Sequence, residues 1–429
     1  MNKVVTRQNV WFTDEEVVLQ FPDNWTINVL GNQFLPALSD AEIINRLDEP
    51  FESLPLSILA AGKKSAVILI DDISRPTPVA RILLKVIERL IQGGIQLTGI
   101  KILIASGTHK KTTFEEILIK TGSEIPKGIE IFTHDCKTDC SWIGETCSGT
   151  PIYINRHVIE AELKIGIGGV YPHPVAGFSG GSKILALGAA GFDTIRFMHD
   201  QRRGDNRRTG EIDHPFRREI NEIAKTIGMD FIVNLTINQN RQISGVFAGD
   251  PEKAFYEAVA FARENYSIPV DSTADIVIVD MYPFDMDFQF AFDRGLWPFE
   301  YSLQNSIKII LADCPKRISD HELFPVTNPL LIRLKRRILN FRFRDIGHLS
   351  ERMYSLLRLF WRRRLTVFVV SQNILDKELK KALPKGKVIT DWELLLRLLA
   401  ARYREETKIR VAFYLTAPLM LHSNKEIPK

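Results

Sequence analysis

The sequence predicts an α/β protein of two domains, each built on a mainly parallel sheet, with an active-site cleft between them. From residue 65 onward, short apolar runs alternate with helical stretches, an arrangement typical of parallel sheets. The alternation starts again after a boundary near residues 269–273, and 429 residues are enough for two domains of ordinary size. We therefore predict an N-terminal domain at residues 1–270 and a C-terminal domain at residues 271–429.

The overall composition favours a globular protein with well-filled cores. Hydrophobic residues make up 45% of the chain and charged residues 25%. The start of the sequence, MNKVVTRQNVWF, lacks the apolar segment of a secretory signal, and the uncharged residues 165–182 are too rich in Gly, Pro and Ser to span a membrane. We expect a cytoplasmic location and reduced thiols at the four cysteines, Cys136, Cys140, Cys147 and Cys314.

The elements of the first domain can be placed in order along the chain. Residues 1–60 carry apolar segments at 16–21 and 25–30 and an amphipathic helix at 41–47. Helices are predicted at Val79–Ile91 and after Thr112 or Thr113, either of which can cap the second helix. Four apolar runs predict the strands of the sheet: Val67–Ile70, Ile100–Ala105, Ile129–Phe132 and Leu163–Ile167.

Each of these four strands is followed closely by residues with chemically active side chains. In strand order they are Asp72 with Arg75, His109, His134 with Asp135, and His173. Ligands of parallel sheets bind beyond the carboxyl ends of the strands, so we predict a ligand site there. The alternative for Arg75 is a structural ion pair with Asp71 or Asp72.

A glycine-rich segment extends from the fourth strand to His199. Gly180 and Gly181 precede Lys183, and successive glycines let backbone N–H groups point at an anion while a lysine supplies charge or an amine nucleophile. The spacing differs from that of a nucleotide-triphosphate loop. Zinc is the alternative for the nearby histidines and cysteines, but the run His134, Cys136, Cys140 and Cys147 lacks the usual C-x-x-C pair.

Several separated motifs occur in a characteristic order between residues 65 and 250. They are DDISRPTP at 71–78, SGTHKKTTFEE at 106–116, HD at 134–135, GTPIYINR at 149–156, PHPVAGFSGGSK at 172–183, HPFRREINEIAK at 214–225 and FIVNLTIN at 231–238. Together with the later His199, they resemble the nickel-dependent lactate racemase family.

The resemblance implies a nickel-pincer cofactor, a pyridinium-3-thioamide-5-thiocarboxylic acid mononucleotide. Lys183 matches the lysine that tethers this cofactor through a thioamide, and His199 matches the histidine that completes the planar nickel site. Gly180 and Gly181 match the loop beside the mononucleotide. Square-planar coordination by sulfur and imidazole suits Ni(II). Cofactor-maturation proteins are implied as partners.

The implied reaction is the racemisation or epimerisation of a small-molecule 2-hydroxy acid. His109 and His173 match the acid/base pair of the family. One histidine removes the hydroxyl proton while hydride passes from Cα to the cofactor, and the planar 2-oxo acid takes the hydride back on either face. Asp72 and Arg75 are expected as cofactor contacts, with Arg75 also holding an anionic group of the substrate.

The second domain departs from the family pattern. Residues 288–294 read FQFAFDR, and Asp293 stands at the position of the family's lysine. Leu187 replaces the family's proline after the tethering lysine. We therefore expect a substrate other than lactate, with Gln289 and Arg294 as substrate-binding residues. The alternative is a catalytically altered relative that binds a ligand or a partner.

Basic charge is concentrated in residues 333–364. This segment holds eleven Lys or Arg and two acidic residues, with aromatic side chains between them. It is predicted either to contact an anionic surface or to form solvated helices over the second domain. The sequence has no signature of a nucleic-acid-binding module.

Overall fold

The computed structural model describes residues 2–31, 35–201, 209–318, 365–403 and 407–426. The basic segment 333–364 lies outside these residues. In chain order the strands are β1 (Asn2–Gln8), β2 (Glu15–Phe21), β3 (Trp25–Leu30), β4 (Ala66–Ile70), β5 (Ile100–Ile104), β6 (Glu130–Thr133), β7 (Cys140–Glu145), β8 (Pro151–Asn155), β9 (Leu163–Gly169), β10 (Pro172–His173), β11 (Gly177–Phe178), β12 (Phe231–Ile237), β13 (Ile243–Gly249), β14 (Ser267–Val270), β15 (Ile276–Asp280), β16 (Ile307–Leu311), β17 (Val367–Val370), β18 (Gly386–Ile389), β19 (Ile409–Tyr414) and β20 (Leu421–Glu426).

Thirteen α-helices and two short 3₁₀ helices accompany these strands in the described part of the chain. The α-helices are Asp40–Asp48, Leu56–Leu59, Ala80–Gln92, Phe114–Thr121, Arg156–Glu160, Lys183–Ala186, Phe192–Gln201, Pro215–Ile227, Lys253–Tyr266, Phe288–Gly295, Trp297–Tyr301, Asp376–Ala382 and Trp392–Ala400, and the 3₁₀ helices are Leu97–Gly99 and Ala417–Leu419. None of the helices placed by the structure has the length and apolarity needed to cross a membrane.

The unit formed by Gln33–Asn265 contains a six-stranded sheet in the order β13-β12-β9-β4-β5-β6. Neighbouring strands run parallel except β12 and β13, which form an antiparallel pair. The central strand β4, AVILI, is buried along its whole length. A strand covered on both faces has no solvent side, which explains its uninterrupted apolar sequence.

The second unit combines Met1–Asn32 with Tyr266–Lys429. Its six-stranded sheet has the order β18-β17-β16-β15-β19-β3, and every neighbouring pair is parallel. The hairpin of β1 and β2 and the parallel pair of β14 and β20 complete this unit.

The predicted division at residue 270 lies close to the observed boundary between Asn265 and Tyr266 but differs from these units at the start of the chain. The first 32 residues belong with the C-terminal part of the chain, because β3 pairs with β19 along its whole length, from Trp25 beside Ile409 to Leu30 beside Tyr414. The second unit thus takes its edge strand from the start of the sequence. A local pattern of apolar residues cannot indicate so distant a partner.

The predicted α/β class, with mainly parallel sheets, is confirmed. The four predicted strands of the first sheet are β4, β5, β6 and β9, and Thr113 caps the helix Phe114–Thr121 through a capping box with Glu116. The strands β12 and β13 were not predicted. Both are buried along their whole length, so neither shows the alternation of a strand with one solvent face.

Candidate functional site

The loop after β4 holds a carboxylate against a histidine of the next strand end. Asp72 accepts hydrogen bonds from the backbone N–H of Ser74, at 2.9 Å, and from its hydroxyl, both at Oδ1. The other carboxylate oxygen, Oδ2, lies 2.7 Å from Nδ1 of His109, which follows β5. Both oxygens of Asp72 therefore accept hydrogen bonds, and the one at Oδ2 orients the ring of His109.

This contact fixes the tautomer of His109. An ionised Asp72 can only accept a hydrogen bond, so the His109 proton resides on Nδ1 and Nε2 carries the lone pair. Burial would raise the pKa of Asp72, but His109, Arg75 and Ser74 outweigh it and hold that pKa well below its usual range. Burial lowers the pKa of His109, and the cations Arg75 and Lys183 act in the same direction against Asp72. At neutral pH His109 is thus a neutral base.

The electrostatic effect of Lys183 on His109 predicts a measurable shift. Removing a cation stabilises the imidazolium form, so Lys183→Gln is expected to raise the pKa of His109 in the protein without cofactor. A histidine NMR titration measures this value directly. Lys253→Gln, at an exposed ion pair with Glu52, is the matched control and should leave it unchanged. An unchanged or lowered pKa in Lys183→Gln would contradict the assigned coupling.

The neighbouring carboxylate, Asp71, holds the same loop through contacts with Lys120 and Thr77. The Nζ atom of Lys120 lies 2.5 Å from Asp71 Oδ1 and donates to the carbonyls of Arg75 and Thr77, at 3.0 Å each. Asp71 Oδ2 accepts the hydroxyl of Thr77 at 2.6 Å, and that hydroxyl accepts from Tyr171 at 3.2 Å. Lys120 thus holds the ion-pair position of Asp71, while Arg75 interacts electrostatically with Asp72 and, less strongly, with Asp71, so the alternative of a structural ion pair with Asp72 stays open.

Breaking the pair of Asp71 and Lys120 is expected to be costly. Lys120 is fully buried, and Lys120→Met would leave the Asp71 carboxylate buried without its cation. We expect the free energy of unfolding to fall by about 3–5 kcal/mol, measured by urea denaturation. Lys111→Met, whose side chain is 71% exposed beside Asp135, should leave the free energy of unfolding nearly unchanged. Equal effects of the two substitutions would show that the buried pair does not stabilise the loop.

His173, after β9, is held in the opposite tautomer. Its Nδ1 accepts the backbone N–H groups of Val175 and Ala176, both at 3.1 Å. A nitrogen that accepts two donors carries no proton, so the proton of the neutral ring is on Nε2. The sheet order places β4 between β9 and β5, so the loops of His173 and His109 extend from strands on either side of β4. One ring presents a lone pair at Nε2 and the other an N–H.

The predicted glycine loop follows His173. Gly180 and Gly181 have φ angles of +79° and +59°, a region that favours glycine. A Cβ would lie 2.6 Å from Val170 at the first position and 2.6 Å from the ring of Phe255 at the second. Both glycines are thus required by the backbone conformation and by the close packing of Val170 and Phe255 against the loop.

Lys183 begins the short helix after this loop and is partly buried. The loop of His109 is joined to the segment after this helix: Gly107 N–H donates to the carbonyl of Gly188 at 2.9 Å, and Gly188 N–H donates to that of Lys183 at 3.3 Å. Together with the charge effect on His109, these bonds bring Lys183, His109, Asp72 and Arg75 into one cluster.

His199 lies on the helix Phe192–Gln201, beyond the glycine loop. Its Nδ1 lies 2.6 Å from the carbonyl oxygen of Ile195, and a carbonyl can only accept, so Nδ1 carries the proton and Nε2 the lone pair. The ring packs edge-on against Phe216, with 5.4 Å between centroids. Metal-binding histidines commonly have their other ring nitrogen fixed in this way. The geometry therefore suits a single imidazole ligand.

The zinc alternative does not fit the contacts of His134. Its Nε2 lies 2.9 Å from the carbonyl of Ala190 and its Nδ1 lies 3.1 Å from the side-chain amide of Asn155. Both ring nitrogens are occupied, so His134 cannot join the neighbouring cysteines around a metal. In the part of the chain that the structure places, no three His, Cys, Asp or Glu side chains group as a metal site.

The predicted substrate residues belong to the other unit. Gln289 and Arg294 are both buried on the helix Phe288–Gly295, which Asp287 caps. The Arg294 guanidinium donates to the carbonyl of Phe290 at 3.1 Å and lies 5.0 Å from the ring centroid of Phe284. Their role toward a substrate stays a prediction.

Sequence reasoning missed three residues that build the site. Lys120 supports the loop of Asp71, while Arg217 and Asn234 contact the glycine loop. Lys120 is on a helix whose sequence shows only amphipathic spacing. Arg217 and Asn234 lie inside two of the recognised motifs, HPFRREINEIAK and FIVNLTIN, and for Asn234 the available signal was a polar residue in an apolar run.

Residues 12–210 match the family model of the lactate racemase N-terminal domain. The lactate racemase of Thermoanaerobacterium thermosaccharolyticum is 32% identical over 286 residues, which span 65% of this chain and 66% of that protein. The N-terminal part of the chain, residues 12–210, belongs to the lactate racemase family. A second lactate racemase, from Lactiplantibacillus plantarum, is 34% identical over 257 residues, which span 58% of this chain and 60% of that protein. The matched regions thus cover somewhat less than two thirds of these relatives.

Two solved structures have the same fold as this chain. The lactate racemase apoprotein from Thermoanaerobacterium thermosaccharolyticum superposes with a TM-score of 0.74 at 24% identity and covers 99% of this chain and 100% of its own. A protein from Thermotoga maritima gives a TM-score of 0.59 at 16% identity, covering 90% and 98%. At these identities the likeness supports the fold alone.

Proposed function

We propose that this chain is a nickel-pincer-dependent racemase or epimerase of a 2-hydroxy acid. The observation that carries the proposal is the pair of histidines His109 and His173, fixed in opposite tautomers beyond strands on either side of β4. A lone pair and an N–H at the two Nε2 atoms form the complementary acid/base pair that proton transfer at a hydroxyl requires.

The residues present suit the cofactor of the family. Lys183 would tether it, the backbone at Gly180 and Gly181 would lie close to the mononucleotide, and the Nε2 lone pair of His199 would complete the nickel site. When bound, this group supplies a reversible hydride acceptor. Arg75 is proposed to hold an anionic group of substrate or cofactor. Asp72 is proposed to act through His109 rather than only on the cofactor, because its carboxylate oxygens face His109 and Ser74.

The chain's own residues would move the proton in an asymmetric way. Neutral His109 takes the substrate's hydroxyl proton at Nε2, with the charge that develops on the ring stabilised by Asp72. In this course the Nε2–H of His173 donates a hydrogen bond to the substrate oxygen. In the opposite stereochemical course His173 takes the hydroxyl proton at Nε2, which requires its ring proton to shift to Nδ1, so the N–H contacts from Val175 and Ala176 must loosen during turnover.

We propose further that lactate is not the preferred substrate. By the family pattern, Asp293 stands where lactate enzymes have a lysine. A carboxylate at that place would weaken the binding of a small monocarboxylate by about 1–4 kcal/mol. The apolar Phe288, Phe290 and Phe292 favour a larger or less polar substituent, whereas Asp287 and Gln289 favour hydroxyl groups.

A substrate panel tests this proposal. Protein from a cofactor-producing host is incubated with single enantiomers of lactate, aryl-substituted 2-hydroxy acids and aldonates, and products are separated by chiral chromatography. We expect the highest kcat/KM for an aryl or sugar acid. Lactate as the best substrate would overturn the specificity proposal, and no turnover of any member would favour the alternative of a catalytically altered relative.

A further inference from the structure

We infer that Arg217 and Asn234 are positioning residues that fix the loop 176–181 from its two sides. This loop joins His173 to Lys183, so its conformation sets the placement of both. The catalytic consequence of this inference rests on the proposed function, whereas its structural part does not. Both residues lie in family motifs to which the reaction assigns no role.

Arg217 contacts one side of the loop through three carbonyl groups. Its guanidinium donates to the carbonyl oxygens of Ala176, at 2.9 Å, of Phe178, and of Gly180, at 3.4 Å. The side chain is 1% exposed and stacks 4.4 Å from the ring centroid of Phe255. A planar fork of donors can serve three separate acceptors, and a lysine ammonium at the end of a flexible stem cannot reproduce that geometry.

Acceptors on the opposite side hold the same peptide groups. In a trans peptide the C=O of one residue and the N–H of the next point in opposite directions. The peptide after Phe178 directs its N–H, from Ser179, to the carbonyl of Tyr171 at 2.8 Å. The peptide after Gly180 directs its N–H, from Gly181, to Oδ1 of the fully buried Asn234 at 2.8 Å. The peptide groups 178–179 and 180–181 are thus each hydrogen-bonded on both sides, which leaves the loop little conformational freedom.

The fixed peptides lie directly beside the functional residues. Ala176, whose carbonyl Arg217 binds, donates its N–H to Nδ1 of His173 at 3.1 Å and so sets that ring's tautomer. At the other end, Gly181 accepts a hydrogen bond from Ile184 N–H at 3.2 Å, which starts the turn that carries Lys183. Loss of the Arg217 or Asn234 contacts would therefore let the loop move and displace His173, Lys183 or both.

The chemistry of Arg217 argues for this role over simple packing. Burial lowers the pKa of Arg217 to about 9, which shows how strongly this position disfavours a charge. An apolar side chain would fill the same volume at lower cost. What an apolar residue cannot provide is the set of three hydrogen bonds that orients the loop.

Hydrogen exchange measured on the cofactor-free protein tests the structural part. Arg217→Lys should speed exchange in peptides covering residues 174–183 by about tenfold or more, the factor expected for a lost charge-assisted hydrogen bond. Exchange elsewhere should stay unchanged. Arg218→Lys is the matched control, since Arg218 is the next residue in the chain, its side chain is 62% exposed and it pairs with the exposed Asp213. Exchange in residues 174–183 that stays at the wild-type rate would overturn the inference, whether or not the chain is a racemase.

Kinetics on the best substrate of the wild type test the positioning role. Loss of alignment should lower the kcat of Arg217→Lys on the order of 100-fold, while KM stays within about threefold. Faster exchange with normal kcat would overturn the positioning claim. If Arg217→Lys proves unfolded, Asn234→Leu decides: the same local exchange and the same fall in kcat support the inference, and wild-type behaviour overturns it.

Discussion

His109→Ala and His173→Ala are each expected to abolish interconversion of the two substrate stereoisomers. A positioned acid or base contributes about 10²–10⁴-fold to rate, and the proposed reaction uses one histidine for each stereochemical course. His109 lies on the loop after β5 and His173 ends the short strand β10, and both side chains are only partly buried, so truncation removes little packing. Thermal melting and nickel content should therefore remain near those of the wild type. His422→Ala, at an exposed histidine of the other unit, is the control.

Single-turnover measurements separate the two histidines. With each enantiomer in turn, formation of the 2-oxo acid should fail for one enantiomer in His109→Ala and for the other in His173→Ala.

Asp72→Asn offers a finer probe of the tautomer of His109. Ser74 N–H keeps the amide oxygen on its side, so the new NH₂ group would face His109 Nδ1 and drive the His109 proton to Nε2. Turnover should fall by about 10²-fold or more. Near-normal turnover in any of these variants would contradict the two-histidine scheme.

The sequence predicted those parts of the site that follow from local periodicity. The strand ends that carry Asp72, His109 and His173 lie where alternating apolar runs placed them, since such runs are the direct signature of buried parallel strands. The helix cap at Thr113 could also be predicted, because its reciprocal hydrogen bonds with Glu116 join residues only three positions apart.

Tertiary pairing explains what the sequence could not predict. The pairing of β3 with β19 joins the two ends of the chain, and the contact of Asn234 with Gly181 joins β12 to a loop 53 positions earlier. The tautomers of His109 and His173 depend on hydrogen bonds to Asp72 and to the backbone N–H groups of Val175 and Ala176. Neither these long-range contacts nor these hydrogen bonds leave a periodic pattern in the sequence, so only the three-dimensional structure shows them.

Family resemblance supplied residue roles that periodicity alone could not. It singled out Lys183 among 56 Lys and Arg residues, and His199 among nine histidines. The structure adds physical grounds for each choice. Lys183 follows a loop that only glycine can build, and the carbonyl of Ile195 fixes the tautomer of His199. These grounds lead to separable predictions for the two residues.

Lys183→Arg is expected to abolish covalent attachment of the cofactor. A thioamide requires an amine that can lose its proton, and a guanidinium keeps its charge and cannot take that role. Intact mass of protein from a cofactor-producing host should show an adduct on the wild type and the bare chain for Lys183→Arg. Lys111→Arg, with its exposed side chain, should keep the adduct. A bare wild-type chain would count against tethering, and an adduct on Lys183→Arg would place the attachment on another residue.

His199→Ala should separate nickel binding from tethering. On the proposed role of His199, loss of its Nε2 would remove one donor to the metal but leave the amine of Lys183 in place, so the adduct mass should persist while bound nickel falls. Elemental analysis after gel filtration, at protein concentrations matched to the wild type, measures the metal. Phe216→Leu is the informative companion, because it removes the ring that packs against His199 and keeps the ligand itself. Nickel retained at wild-type stoichiometry in His199→Ala would show that another group binds the metal, whereas loss in both variants would show that the orientation of the ring matters as much as its presence.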